Sequence, residues 1–320
     1  MGYPLKILIL LIISTLALSA CQAANLPDKI FAPYVDMSLS NPAPGDVLAA
    51  NPLQLNYTLT CVIADPQANP VWSHNRPLDT FLSDVQTLRN NGGKVIISFG
   101  GENADAKNDL ATKITDISKL VAAYQTVLTM YQPLWLDFDI EDAALQNPTA
   151  IERRNRAVAA LQTKNPDLAV SFTFAVMPTG LSSYALDVLQ NAKDNKVKLA
   201  LVNLLVMDYG NNYPATNGKL ADYSIRAAKT SYAQLQKIFP TNTPRIGLSP
   251  CYGQNLTRSE IFDLQNDAPK LLAFAQQTAY VQWLCPWSAS RDSMSGDTRA
   301  NSTGIKQSAY AFMDVFRSFN

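Results

Sequence analysis

Eight short runs rich in β-branched and aromatic residues recur along the chain, at 30–37, 55–64, 94–99, 134–140, 168–175, 201–208, 245–249 and 280–287. Near-continuous apolar runs of this length are what strands covered on both faces require. Most of the intervals carry helical apolar spacing. Leu78, Phe81, Leu82, Val85 and Leu88 fall at three- and four-residue steps, and Ile114, Ile117, Val121 and Tyr124 repeat the pattern. Segments 222–239, 259–277 and 303–319 read the same way, whereas 40–52 is too rich in proline for a good helix. Asn91-Gly92-Gly93 is a helix stop followed by a turn. Eight strands alternating with crossover helices predict an α/β chain folded as a (β/α)8 TIM barrel over residues 30–320, in a single domain. An open doubly wound sheet is the alternative. It would carry its ligand site on glycine-rich turns after strands, and the only such turn here, Gly100-Gly101 after the third run, lacks the G-x-G-x-x-G spacing. The barrel predicts that function sits at the carboxyl ends of the strands.

The first 20 residues stand apart. Lys6 precedes an apolar run from 7 to 20, short of the roughly 20 residues a spanning helix needs and matched to the core of a signal peptide. The run closes Leu18-Ser19-Ala20-Cys21, an arrangement that resembles the bacterial lipobox. On that reading 1–20 is removed, Cys21 is lipidated and anchors the exported protein to a membrane, and 21–29 is a short linker. An ordinary secreted protein cut at a nearby small residue is the other reading. Cys61, Cys251 and Cys285 remain, an odd number lying in or beside apolar runs, which predicts buried free thiols.

Composition narrows the chemistry. Lys and Arg number 26, as do Asp and Glu, so the electrostatic footprint of a nucleic-acid binder is missing. His74 is the only histidine and lies in a polar loop, which points acid–base chemistry toward carboxylates.

The fourth run supplies them. In Leu134-Trp135-Leu136-Asp137-Phe138-Asp139-Ile140-Glu141, strand alternation puts Asp137, Asp139 and Glu141 on one face and Leu136, Phe138 and Ile140 on the other. In a barrel the apolar set meets the outer helices and the acids form a row in the lumen, with Glu141 nearest the carboxyl end. Burial and mutual repulsion raise the pKa of at least one of them, the condition a general acid near neutral pH requires. A divalent-cation site and a purely structural cluster are the other readings, although metal loops favour irregular, glycine-containing backbone over an apolar strand.

This strand resembles the D-x-x-D-x-D-x-E signature of family 18 glycoside hydrolases, the chitinase family, with Asp137, Asp139 and Glu141 on its last three acids. Ser98-Phe99-Gly100-Gly101 is similar to the family's S-x-G-G. Met207-Asp208-Tyr209 falls where the family carries a methionine–tyrosine motif, and Trp287 where it places a tryptophan after the eighth strand. The likeness spans about residues 31 to 319. One departure stands out: the family's first aspartate and the following glycine fall on Leu134 and Trp135, which should alter pH dependence rather than abolish activity.

The resemblance implies hydrolysis of β-1,4 bonds in chitin or N-acetylglucosamine oligosaccharides by a retaining, substrate-assisted route without metal or other cofactor. Glu141 would be the general acid and then the base, Asp139 would steady the acetamide, and Asp137 would share a proton with Asp139. Tyr209 would hold the acetamido oxygen and Trp287 would floor the reacting sugar. Met207, Asp208, Gln254, Asn255 and Tyr34 are further candidates for substrate contact, with Gln254 and Asn255 as readily shaping a turn. Only residues 250–279 separate the last two strands, so no sizeable α+β insertion is expected there, and the groove should be open. The same acids would serve an endo-β-N-acetylglucosaminidase acting on glycoprotein glycans, and the same barrel could belong to a non-catalytic glycan-binding lipoprotein.

Overall fold

The structure, a computed structural model, describes residues 26–102, 104, 107–213, 215, 218–296 and 299–320; the segment expected to be a signal peptide, and Cys21 with it, lies outside the described residues. Strand β1 comes in two halves, Ile30–Phe31 and Tyr34–Asp36, divided at Ala32-Pro33. It is followed by β2 (Asn56–Ala64), β3 (Lys94–Gly100), β4 (Leu136–Asp139), β5 (Val170–Met177), β6 (Leu199–Leu205), β7 (Arg245–Ser249) and β8 (Val281–Leu284). Each strand pairs in parallel with its neighbour in sequence. The first half of β1 pairs β8 and the second half pairs β2, so the split strand closes the ring. The fold is the (β/α)8 barrel expected from the sequence.

Helices cover the outside: α1 (Pro44–Ala50), α2 (Leu82–Asn90), α3 (Ile117–Tyr131), α4 (Pro148–Lys164), α5 (Ser183–Asp194), α6 (Lys219–Ile238), α7 (Asp267–Gln277) and α8 (Ala311–Phe316). Their starts follow side-chain chemistry. Asp116, Asn147 and Ser182 each accept from a backbone N–H in the first turn of α3, α4 and α5. The 40–52 segment does hold a helix, against expectation, because Pro44 sits in its first turn, where the missing N–H has no partner to lose. The expected 259–277 helix is shortened at its start. Ile261–Phe262 pairs antiparallel with Gly253–Gln254, and α7 begins at Asp267, whose carboxylate accepts from the Ala221 and Asp263 N–H groups. Between β7 and β8 there is thus one small hairpin and one helix. The 303–319 segment is helical only over α8 and a final turn, Arg317–Phe319.

The core is divided by the barrel wall. Outside, Leu136, Phe138, Ile140, Phe172, Phe174, Val202 and Leu204 join the helices in one apolar layer. Inside, Ile30, Ala32, Ile96, Trp135, Ala169, Leu201 and Trp283 fill the lower lumen, with the Trp135 and Trp283 rings edge to face at 5.1 Å. Gly247 faces the same space. A Cβ there would stand 2.6 Å from Asn203 Oδ1 and 2.9 Å from the Trp283 ring, so only glycine lets both side chains cross the lumen. Cys61, Cys251 and Cys285 are free and buried.

Candidate active site

Register places the acid row. Ser98 on β3 lies opposite Asp137 on β4, which lies opposite Ser171 on β5; one step higher, Gly100, Asp139 and Thr173 align. Alternation then turns Ser98, Asp137, Ser171 and Thr173 inward together, above the tryptophan floor.

Asp137 is fully buried and richly bonded. Its Oδ2 accepts from Ser98 Oγ at 2.7 Å, Thr173 Oγ1 at 2.9 Å and, at longer range, Tyr34 OH at 3.5 Å. Its Oδ1 accepts from Ser171 Oγ and from Thr173 Oγ1, the latter at 2.9 Å. Burial lifts its pKa and the four hydroxyls pull it part of the way back, leaving it raised to about 6. A polar belt continues round the barrel. Asn203 Nδ2 on β6 donates to Thr173 Oγ1, Tyr34 OH and Ser249 Oγ at 3.1–3.3 Å, and Ser249 Oγ donates to the Cys285 carbonyl at 2.7 Å.

Asp139 has the opposite surroundings. Its Oδ1 is sealed from solvent without a hydrogen-bond partner, and burial, with Glu141 and Asp137 beside it, holds its carboxyl well above the usual range. Gly100 and Gly101 make its position possible. Both have left-handed φ values, +98° and +81°, and a Cβ on Gly100 would meet the Asp139 carbonyl at 2.0 Å. The Gly101 N–H donates to that carbonyl at 3.0 Å.

Glu141 stands just past the end of β4, half-buried at the mouth. Burial comes first among the effects that push its pKa up to about 7, followed by the charges of Asp142, Glu102 and Asp208; the Glu102 backbone N–H acts in the other direction. The row therefore combines a hydrogen-bonded carboxylate at its base with two acids above it that burial and neighbouring charge push toward the protonated form, Glu141 to about 7. Such a pair can donate a proton and take one back.

Other sequence candidates divide. Trp287 is half-buried where the chain leaves β8, its ring 5.9 Å from that of Tyr34, and so it lies over the lumen. Asp208 is half-buried, has φ +52°, and accepts from the Leu256 N–H at 2.6 Å; Met207 beside it is half-buried. Tyr34 is a correction: instead of lining an open cleft it is 2% exposed and braces Asp137. Tyr209 is another. Expected to hold an acetamido oxygen, it turns outward, packs against Tyr213 and Tyr223, and points its buried hydroxyl toward Ser224 of α6 without a well-formed hydrogen bond. The left-handed Asp208 breaks the alternation that would have kept Tyr209 on the lumen side. Asn255 is a third. It is buried, its Nδ2 donates to the Cys251 and Gly253 carbonyls, and its Oδ1 accepts from the Asp208 N–H, so it shapes the turn that presents Asp208. Gln254 lines a side pocket with Arg291, Arg299 and the 302–304 turn, to which none of the three acids contributes.

Several residues at the site carry no sequence signal of their own. Ser171, Thr173, Asn203 and Ser249 read as ordinary strand polars until register brings them together. Glu260 is buried and accepts from the Tyr209 and Gly210 N–H groups, tying down the turn after β6. Only the Cys251–Asn255 loop and Asp208 hint that something must hold it.

No family model matches the chain. It is 31% identical over 319 residues to a probable bifunctional chitinase/lysozyme of Escherichia coli K12, covering 92% of this chain and 35% of that protein. It is 31% identical over 285 residues to endochitinase 11 of Metarhizium anisopliae, covering 83% and 53%. The chain thus spans about a third and about half of the curated relatives it matches. Among solved structures, the catalytic domain of a hyperthermophilic chitinase from Pyrococcus furiosus superposes with a TM-score of 0.80 at 29% identity, over 93% of this chain and 96% of that one. A family GH18 chitinase from Chromobacterium violaceum shares the fold, with a TM-score of 0.61 at 14% identity over 94% and 85% of the two chains. The relationship to chitinases is one of sequence and fold together.

Proposed function

We propose that this chain hydrolyses β-1,4 bonds between N-acetylglucosamine units, in chitin or its oligosaccharides, as a retaining, substrate-assisted glycosidase of the family 18 type. The observation that carries the reading is the acid row itself, with Asp137 hydrogen-bonded at its base, Asp139 above it with a partnerless Oδ1, and Glu141 at the barrel mouth. The chitinase relatives support it.

The steps follow from reach and charge. Glu141, nearest the mouth, protonates the departing glycosidic oxygen. The acetamido oxygen of the same sugar whose glycosidic bond is breaking attacks its anomeric carbon as the leaving oxygen departs, giving an oxazolinium ion with retention to follow. Asp139, whose sealed Oδ1 lacks a partner in the protein, turns toward the substrate and passes its proton to Glu141, so that its carboxylate accepts from the acetamide N–H and offsets the positive charge that develops there. Glu141, now ionised, removes a proton from the water that opens the ring. Trp287 supplies the stacking surface beneath the reacting sugar. Tyr209 has no part in this, because it faces α6. The upstream segment fits export, with Cys21 as a lipid anchor.

The test runs chitin oligosaccharides and a high-mannose glycopeptide in parallel, with wild type and Glu141→Gln. The expected result is cleavage of the oligosaccharides alone, with turnover falling at least about 10²-fold in the variant while binding persists. Cleavage of the glycopeptide in preference would move the assignment to an endo-β-N-acetylglucosaminidase. Binding of chitin by wild type without turnover would make the chain a lectin. Incorporation of a labelled fatty acid, lost in Cys21→Ala, tests the anchor.

A further inference from the structure

Trp135 occupies the position of a small residue in the resembled signature, and its indole N–H donates to Ser171 Oγ at 3.0 Å. An indole nitrogen can only donate, so the direction of this bond is fixed. A serine hydroxyl has one hydrogen. With Trp135 pointing its own hydrogen at Ser171, the serine's hydrogen is directed to the other oxygen within reach, Asp137 Oδ1. The same logic applies on the far side of the carboxylate. Asn203 Nδ2 donates to Thr173 Oγ1 at 3.2 Å and to Tyr34 OH at 3.3 Å, while its Oδ1 accepts from Cys285 Sγ at 3.2 Å, which sets the amide's orientation. Thr173 then sends its hydrogen to Asp137, 2.9 Å from either oxygen, and Ser98 does likewise at 2.7 Å.

We propose that Trp135 is a positioning residue that, through Ser171, holds Asp137 as the anion of the row near neutral pH and confines the row's exchangeable protons there to Asp139 and Glu141. A proton on Asp137 would have to face hydroxyls whose hydrogens already point at it. Turning Ser171 round would strand its hydrogen against the indole N–H, and a buried donor without a partner is costly. The aspartate missing at Leu134 is therefore not needed to set the charge of Asp137. A neutral donor on the next residue does so from below.

The groups that titrate or carry charge around this centre are few. Asp137 faces Asp139 on its own strand, the Tyr34 phenol on β1 and the Cys285 thiol beyond β8. Glu141 faces Glu102, Asp142 and Asp208, and the Cys61 thiol of β2, pushed up by burial, faces both Asp139 and Glu141. Burial pushes the Tyr34 and Cys285 groups up, so both stay neutral near pH 7 and leave Asp137 as the charge that Asp139 feels from below.

The proposal rests on the glycosidase reading only for its consequence in rate, and its test begins with a readout that needs no substrate. Carboxyl 13C NMR on aspartate-labelled protein follows Asp137 through its titration. Trp135→Phe keeps an aromatic floor and removes the N–H, and Asp137 is expected to titrate about one pH unit higher. In a Ser171→Ala background the same substitution should move Asp137 no further, because the relay is already cut. An unchanged Asp137 in Trp135→Phe overturns the proposal, as does an equal shift in both backgrounds, which would mark a merely structural role. Wild type offers a check that needs no variant: the Trp135 indole proton signal should follow the Asp137 titration, and an indifferent signal also overturns the proposal. In an active enzyme, Trp135→Phe should in addition move the alkaline limb of kcat/KM to lower pH, since a protonated Asp137 no longer repels charge on the pair above it. A protein that shows the NMR shift but cleaves no chitin would refute the glycosidase reading and leave the relay intact.

Discussion

The two ends of the acid row differ in how their charge is met. At the base, Asp137 has hydroxyl donors on both oxygens from three strands, and behind those donors stand Trp135 and Asn203. At the top, Asp139 has a sealed oxygen with no partner, and Glu141 has carboxylates for neighbours with one backbone N–H to set against them. The lower acid is built into the barrel as any satisfied buried polar group is. The upper two are left wanting, and a substrate that brings an amide N–H and a basic leaving oxygen supplies what they lack. The difference separates the part of the site that holds geometry from the part that does chemistry.

Substitutions at the two ends should therefore fail in different ways. Asp139→Asn should lower turnover by about 10²-fold with the protein folded and binding retained, because the loss falls on the developing oxazolinium charge. Steady-state kinetics on a chitin oligosaccharide checks this, and an unchanged rate would remove acetamide assistance from the mechanism. Asp137→Asn should instead cost stability. One carboxylate oxygen becomes an amide whose hydrogens meet hydroxyls already pointing inward, so about 1–3 kcal/mol of unfolding free energy should be lost. Urea denaturation measures it. A variant as stable as wild type would mean that the hydroxyl belt reorients freely and that the base of the row is no anchor.

The contrast between the ends was only half legible in the sequence. Strand alternation alone put Asp137, Asp139 and Glu141 on one face, since the period is two and the intervening Phe138 and Ile140 are plainly apolar. The barrel was legible for a related reason: strands covered on both faces read as apolar runs whatever their partners. What alternation does not carry is register between strands, and the belt of Ser98, Ser171, Thr173 and Asn203 exists only because β3 to β6 align as they do. Alternation alone would turn Tyr209 inward, but a single left-handed residue, Asp208, reverses the side on which its successor lies, and nothing in the local composition announces it. The helix at Pro44–Ala50 is hidden by its proline, a helix breaker in general but harmless at the first turn, where Pro44 sits.

A smaller effect should appear in the pH dependence. The general acid works only while protonated, and Glu141 is pushed up to about 7. The rate should accordingly hold on the acid side and fall as pH rises through about 7, with the loss traceable to Glu141 rather than to unfolding. A rate profile on a soluble oligosaccharide, run beside circular dichroism at each pH, separates the two. An alkaline limb lying well above pH 8 would place the proton donor elsewhere.

The smallest effect is also the least expected of a catalytic substitution: Glu141→Gln should make the protein more stable above neutral pH. In the folded chain Glu141 holds its proton up to about 7, whereas in the unfolded chain a glutamate releases it near 4.3. Between those values the folded state binds more protons than the unfolded one, so stability falls as pH rises, and the deficit is complete above about 7. Glutamine carries no charge to repel Asp142, Glu102 and Asp208 and takes part in no such linkage. The expected gain is a few degrees in Tm at about pH 8, shrinking to nothing below pH 4. Asp137→Asn, measured in the same way, should lose stability at pH 8, because its amide hydrogens meet hydroxyls already pointing inward; the raised pKa of Asp137, about 6, trims that loss without reversing it. Thermal melts of both variants across that range test the division directly. If the two moved together, the row would be one coupled acid cluster, with no anchored end and no reactive end to distinguish.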